Sequence, residues 1–484
     1  MNLKLVLFVL GKIALAFAGT LIFPLLVSLY YGEEIILPYL VPILISLLLR
    51  LAVGKFRLKY RGRLSLRDGL GIVGLSWCFV CFMGALPYFL LGIDVISAFF
   101  ESVAGFTTTG ASSIKSLAAL PASLLLWRSL TQWLGGLAII LVFITLVPQV
   151  GSSGERLFTA ELHGESSERM MPRIRTTISL LGLSYTAVTL LLIFCLWLFD
   201  MSFFSAANYA MATVSTGGFT PVDGGLKQLN SPALEIVLMI FMLFSGGSYI
   251  LYYKVYKDGL KSFWHDKEFL AYLGVILFFG ILLAINLAAN SRYEGWESLY
   301  QGLFQAISVI TTTGFSISDY NTWPEFSRFC ILLMMFVGGC AGSTAGGIKV
   351  ARLMVLFKLS WSELKRTLHP HMVVDVQMSG NHVPSNVIIS ISRFFFVYMA
   401  VFVLGSLLLS LTGSLGMLDA IGIAASCLAN IGPAFDMVAP FSTYADVSGT
   451  GKLLSCVLMI FGRLEIFTLL IFFSPEFWHS RKNW

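Results

Sequence analysis

Four short polar stretches interrupt an otherwise strongly apolar chain: TTTGAS at 107–112, STGGFT at 215–220, TTTGFS at 311–316 and NIGPAF at 430–435. They offer neutral hydroxyls, backbone carbonyls and glycine, with no converging set of His, Asp and nucleophile of the kind an enzyme needs. Glycine permits left-handed backbone angles, which let successive carbonyls point the same way. Rings of such oxygens can replace the water shell of a dehydrated monovalent cation. Gly110, Gly217, Gly314 and Gly432 follow one another at intervals of 107, 97 and 118 residues, a period that marks internal repetition.

The elements that position these stretches follow from composition. Of 484 residues, 57% are hydrophobic and only 12% charged, and apolar runs of about twenty residues recur, as in an integral membrane protein. The N-terminal run is too long for a signal peptide and lacks a small-residue cleavage site, so it reads as a retained helix. Each polar stretch lies between two long apolar runs: 70–91 and 124–147, 179–199 and 234–253, 269–289 and 326 onward, 388–411 and 453–473. The segments leading into the polar stretches (ISAFFESVAGF, SAANYAMATV, SLYQGLFQAISVI and AIGIAASCLAN) span about 15–20 Å as helices, short of the roughly 30 Å hydrocarbon layer. They must dip in and return on the same side. Irregular backbone is tolerated at membrane depth only inside protein or along water, so the four loops line an aqueous path.

The predicted fold is therefore an all-α integral membrane protein. Four pseudo-repeats (70–150, 175–257, 268–360 and 386–478) of helix, re-entrant pore helix with filter loop, and helix surround one pore, after a transmembrane helix pair at 1–54. Lysine and arginine concentrate at 55–69, 254–267 and around Lys358, Lys365 and Arg366, while YYGEE at 30–34 is acidic. The positive-inside rule makes the basic loops cytoplasmic, along with the C-terminal HSRKNW and the start of the chain. The net charge of +6 then reflects topology and not nucleic-acid binding. Cys78 and Cys81 form a C-x-x-C inside an apolar helix, read as packing, and His369 and His371 have no further histidine nearby, so a metal site is not expected.

Three further features stand out. Residues 326–359 as one helix would span about 50 Å, and their middle reads GGCAGSTAGGIK, which predicts a break. Small-residue helix packing is the alternative; a phosphate-binding loop is rejected because the G-K-[ST] ending is missing. Arg463 falls about eleven residues into the last apolar run, where an arginine costs roughly 2.5–3.5 kcal/mol, and Glu465 two positions on is a poor partner. Asp223, Asp319 and Asp436 follow filter loops toward the outside, where they either concentrate cations or are ordinary turn residues. Glu101 lies in the first pore helix and could support the loop by hydrogen bonding.

Four such loops, their spacing and the two preceding helices resemble the TrkH/TrkG potassium-uptake subunits of the Trk/Ktr/HKT superfamily of cation transporters, over nearly the whole chain. The resemblance implies a potassium filter at Thr108, Thr109, Gly110, Ser215, Thr216, Gly217, Thr312, Thr313, Gly314, Asn430, Ile431 and Gly432, with rubidium also passing. Gly110 favours potassium, since plant relatives with serine there prefer sodium. The resemblance also implies an intramembrane gating loop with Gly338, Gly339, Gly342, Ser343, Thr344, Gly346 and Gly347, with Arg463 against it, its charge opposing cation passage; an arginine that only pins a carbonyl-rich loop is the alternative. A homodimer in the bacterial inner membrane and a cytosolic nucleotide-binding ring (TrkA) complete the expectation. A proton- or sodium-coupled transporter is the alternative; its polar breaks are usually two, in inverted repeats, whereas four occur here.

Overall fold

The computed structural model describes residues 3–54, 66–150, 170–369, 376–378, 381–413, 415–464 and 466–478. Most of the first basic stretch, His371, Glu465 and the terminal HSRKNW lie outside the described residues. The described chain is helical apart from a two-stranded hairpin pairing Gln377–Met378 with Asn381–His382.

Helices α1 (Leu3–Thr20) and α2 (Ile22–Tyr31) run on as one apolar span, and α3 (Leu37–Gly54) returns. The first repeat is α4 (Leu66–Leu90), the short α5 (Val95–Phe106) and α6 (Ala122–Val150); the second is α7 (Met170–Leu198), the short α8 (Phe203–Val214), then α9 (Pro232–Gly246) and α10 (Tyr249–Asp258). In the third, α11 (Lys267–Ala289) and the short α12 (Trp296–Ile310) precede α13 (Glu325–Met335) and α14 (Val350–Leu368). The fourth holds α15 (Ser385–Ser410), the short α16 (Met417–Ala429), α17 (Gly449–Arg463) and α18 (Ile466–Leu470). Seven helices among the described residues are long and apolar enough to cross a membrane, and nine if the bent pairs α9/α10 and α17/α18 each count as one span.

The short helices hold 12, 12, 15 and 13 residues, about 18–22 Å. Two begin on side-chain caps: Asp94 accepts the Ser97 N–H and Ser202 the Ser205 N–H. At α16 the Asp419 carboxylate instead accepts the Gly416 N–H. Burial is reversed relative to a water-soluble protein. Phe82, Leu183, Phe278 and Phe396 stand outward, while Thr109, Thr216, Thr313 and Asn430 are fully buried. Lipid solvates the first set, and the polar second set must be satisfied by protein.

Two expectations need correction. The runs 234–253 and 453–473 are not single helices: α9 and α10 meet at 92° around Gly247, and α17 ends at Arg463. Arg463 is thus the last residue of a half-span, not the middle of a helix. The break predicted in the third repeat is present, with helix stopping at Met335 and resuming at Val350. Of the four runs that follow the polar loops, only the first, α6, continues as one helix. An apolar count cannot see the first of these bends, because Gly246, Gly247 and Ser248 hardly lower hydropathy.

Candidate functional site

The carboxyl ends of the four short helices converge, and each chain leaves its helix the same way. Thr108, Thr216, Thr312 and Asn430 all take left-handed backbone angles, with φ of 53°, 53°, 57° and 59°. Two positions on, Gly110, Gly218, Gly314 and Gly432 are left-handed again, at 76°, 80°, 75° and 101°. The hydrogen bonds repeat as well: Thr109 N–H donates to the Ala104 carbonyl, Gly217 to Ala212, Thr313 to Ser308 and Ile431 to Ser426.

This register corrects the sequence alignment of the second repeat. Gly218, not Gly217, is the counterpart of Gly110, Gly314 and Gly432. Gly217 takes the place held by Thr109, Thr313 and Ile431, and Ser215 is the last-turn residue equivalent to Thr107 and Thr311. STGG offers two glycines to align, and only the backbone angles distinguish them. The fourth loop, which departs most in sequence, conforms because asparagine is among the non-glycine residues most tolerant of the left-handed region.

The four glycines close a ring. A methyl group on Gly110 would lie 2.0 Å from the Gly217 carbonyl oxygen, one on Gly218 2.0 Å from Thr313 O, one on Gly314 2.0 Å from Ile431 O, and one on Gly432 2.5 Å from Thr109 O. Each loop therefore presses its glycine against the carbonyl of the next, in cyclic order. Helix carboxyl ends carry about half a negative charge each, so the ring lies at the focus of four negative helix ends. All four glycines also line an open cavity, together with Lys115, Asp223, Thr443 and Tyr444.

Side chains behind the ring differ from repeat to repeat. Thr107 and Thr109 share a hydroxyl hydrogen bond of 2.7 Å, as do Thr311 and Thr313 at 2.9 Å. Asn430 donates to Thr109 Oγ1 and to the Met459 carbonyl. Gln132 donates to the Gly217 carbonyl at 2.7 Å and accepts from Phe219 N–H, and Tyr444 donates to the Gly432 carbonyl. Glu101 accepts from Ser112 Oγ and Ser113 N–H and pairs with Arg128, both side chains being almost wholly buried. Arg128 also donates to the Thr220 carbonyl and lies over the Phe219 ring, tying the first loop to the second. Sequence reasoning reached Glu101 but missed Arg128 and Gln132. Two polar residues four apart in an apolar span share a helix face, which was the available signal.

The outer aspartates separate. Asp223 lines the cavity and accepts from Leu117 N–H, Ser116 Oγ and Ala118 N–H; burial pushes its carboxyl up, but these bonds outweigh it and hold the group below the usual range. Asp319 caps a turn through Asn321 N–H, and Asp436 pairs with Arg328 at 3.0 Å. Neither is among the cavity-lining residues.

On the far side of the ring from the cavity lies the glycine-rich crossing of the third repeat. Its neck is closed by a parallel bridge between Val337 and Ile348 and by Gly338 N–H donating to the Ile348 carbonyl. Between them, Gly346 N–H donates to Thr312 Oγ1 at 2.8 Å, Thr344 Oγ1 reaches the Val214 and Ser245 carbonyls, and Ser343 Oγ turns back to Cys340. Gly339 packs against the Gly246 carbonyl and Gly346 against that of Ala429, both too closely for a side chain. Gly342 and Gly347 turn the loop at positive φ. Arg463, 3% exposed, donates to the Thr344 carbonyl at 2.7 Å and to the Gly135 carbonyl at 3.3 Å.

A ring of carbonyls at the focus of four helix ends, open to a cavity on one face and covered by a loop on the other, suits passage of a small cation. The sequence matches the TrkH family, described as cation transport protein, over residues 43–480. It is 33% identical to the Trk system potassium uptake protein TrkH of Salmonella typhimurium, covering 99% of this chain and all of that one. To the Trk system potassium uptake protein TrkG of Escherichia coli it is 31% identical, over 94% and 95% of the two chains. The crystal structure of the potassium transporter TrkH from Vibrio parahaemolyticus superposes with a TM-score of 0.91 at 31% identity, over 99% of this chain and all of the other. The chain belongs to the TrkH family of cation transport proteins.

Proposed function

We propose that this protein carries potassium ions across the bacterial inner membrane, the basic loops and both termini being cytoplasmic. The observation that carries the reading is the closed ring, in which Gly110, Gly218, Gly314 and Gly432 each abut the carbonyl of the next loop. Potassium is the permeating ion, held by carbonyls of the ring in place of its water; rubidium, of similar size, passes as well. The four loops differ in sequence and in what braces them, so discrimination against sodium is weaker than in a symmetric four-chain channel. The potassium uptake activity named for the relatives supports this substrate.

The 338–347 loop is the gate. It covers the ring through the Gly346 to Thr312 contact, and Arg463 places a positive charge beside the path, opposing a cation there. Opening requires the loop to leave. By family resemblance the protein is a homodimer with one pore per protomer, and a cytosolic nucleotide-binding ring acts on the basic loops.

Uptake of labelled rubidium into liposomes, driven by an internal potassium load, tests the reading. External potassium should block uptake while sodium barely competes, and Gly314→Ser should abolish that preference. Arg463→Ala should raise the rate by about tenfold, the worth of a charge-assisted hydrogen bond. Silence of both the native protein and Arg463→Ala would count decisively against a cation pore.

A further inference from the structure

The gating loop is held by a second polar side chain besides Arg463. Several of its backbone groups meet neutral partners: Cys340 N–H donates to the Gly246 carbonyl at 2.9 Å and Gly346 N–H to Thr312 Oγ1, while the Gly342 carbonyl accepts from Tyr249 N–H. Ala341 N–H instead donates to the Glu268 carboxylate at 2.6 Å. Glu268 is half-buried in the first turn of α11, at the end of the bundle away from the cavity. Its neighbour Asp266 is committed elsewhere, capping α11 through Phe269 N–H. Lys349, at the end of the loop, donates to the Ala345 carbonyl, and its ammonium is close enough to act on the Glu268 carboxyl as well.

Arg463 thus grips the loop at Thr344 from one side, and Glu268 grips it at Ala341 from the other. The two grips belong to different repeats. Ala341 is buried, so its N–H has little water to turn to when its acceptor is removed, and an unsatisfied buried donor costs more than the net worth of the bond. We propose that Glu268 is a latch: a positioning residue that holds the loop across the path, release of the Ala341 N–H being part of opening. The inference rests on the gate reading above and adds the element that acts on the loop from the side facing away from the cavity.

Rubidium flux in liposomes and thiol labelling of Cys340 test it together. Cys340 adjoins Ala341 and is almost wholly buried, so in a protein with the other cysteines replaced, its rate of maleimide labelling reports whether the loop is in place. Glu268→Ala should raise both flux and labelling by about tenfold. Glu268→Gln, whose amide oxygen still accepts the Ala341 N–H, should restore most of the native behaviour, which a merely structural role would not predict. If Glu268→Ala is not monodisperse, Glu268→Asp, with its carboxylate drawn back by one methylene, takes its place with the same expectation. Native flux and labelling in the Glu268 variants beside a raised flux in Arg463→Ala would overturn the latch and leave the gate standing. Unchanged flux in both Arg463→Ala and Glu268→Ala would overturn the gate and the latch with it.

Discussion

The ring and the loop that covers it are both made of glycine-rich backbone, yet they are held in opposite ways. The ring is built four times, and its parts fit through one repeated contact, a glycine against the next carbonyl. The loop is built once, and each of its holds is different: Arg463 from the fourth repeat, Thr312 from the third, Gly246 from the second, Glu268 from the start of α11. Repeated backbone contact leaves nothing that can let go singly, so the ring is rigid. A loop held by several separable side-chain bonds can be released one bond at a time, which is what a moving part requires.

The ring should break hardest. Gly218→Ala and Gly314→Ala each place a methyl on a carbonyl and force a residue into left-handed angles, a strain of about 1–3 kcal/mol before the clash is counted. Each is expected to abolish selective rubidium uptake. Gly217→Ala should be milder, because its methyl would meet the end of the Gln132 side chain and not backbone. Equal damage from Gly217→Ala and Gly218→Ala would contradict the ring register.

Behind the ring, breaking the Glu101–Arg128 pair by Glu101→Leu strands a buried guanidinium and should cost about 3–5 kcal/mol, read as a large drop in the melting temperature of the detergent-solubilised protein. Replacing both by apolar residues should recover much of that loss. If the double variant is no better than the single one, the guanidinium acts through Thr220 and Phe219 rather than through Glu101. Smallest is the joint between ring and loop. Thr312→Val deletes one neutral hydrogen bond of about 1 kcal/mol and should raise flux a few-fold with ion preference retained. Lost preference there would mean that ring and loop are a single unit.

Much of this was legible in the chain. The number of repeats, the short re-entrant helices and the break in the third repeat follow from apolar run lengths and glycine content. The ring register in the second repeat was not legible, because adjacent glycines are interchangeable until φ is known. Nor were the partners of Arg463, Gln132 and Glu268, which lie 119, 85 and 73 residues away along the chain.

By itself, then, the sequence determined what the bilayer enforces. Span length, apolar outer faces and the four irregular crossings are local consequences of a solvent that cannot hydrogen-bond. Tertiary structure alone decided which glycine meets which carbonyl and which side chain holds which turn of the loop. Those contacts join separate repeats, and their geometry exists only once four helix ends converge on one point.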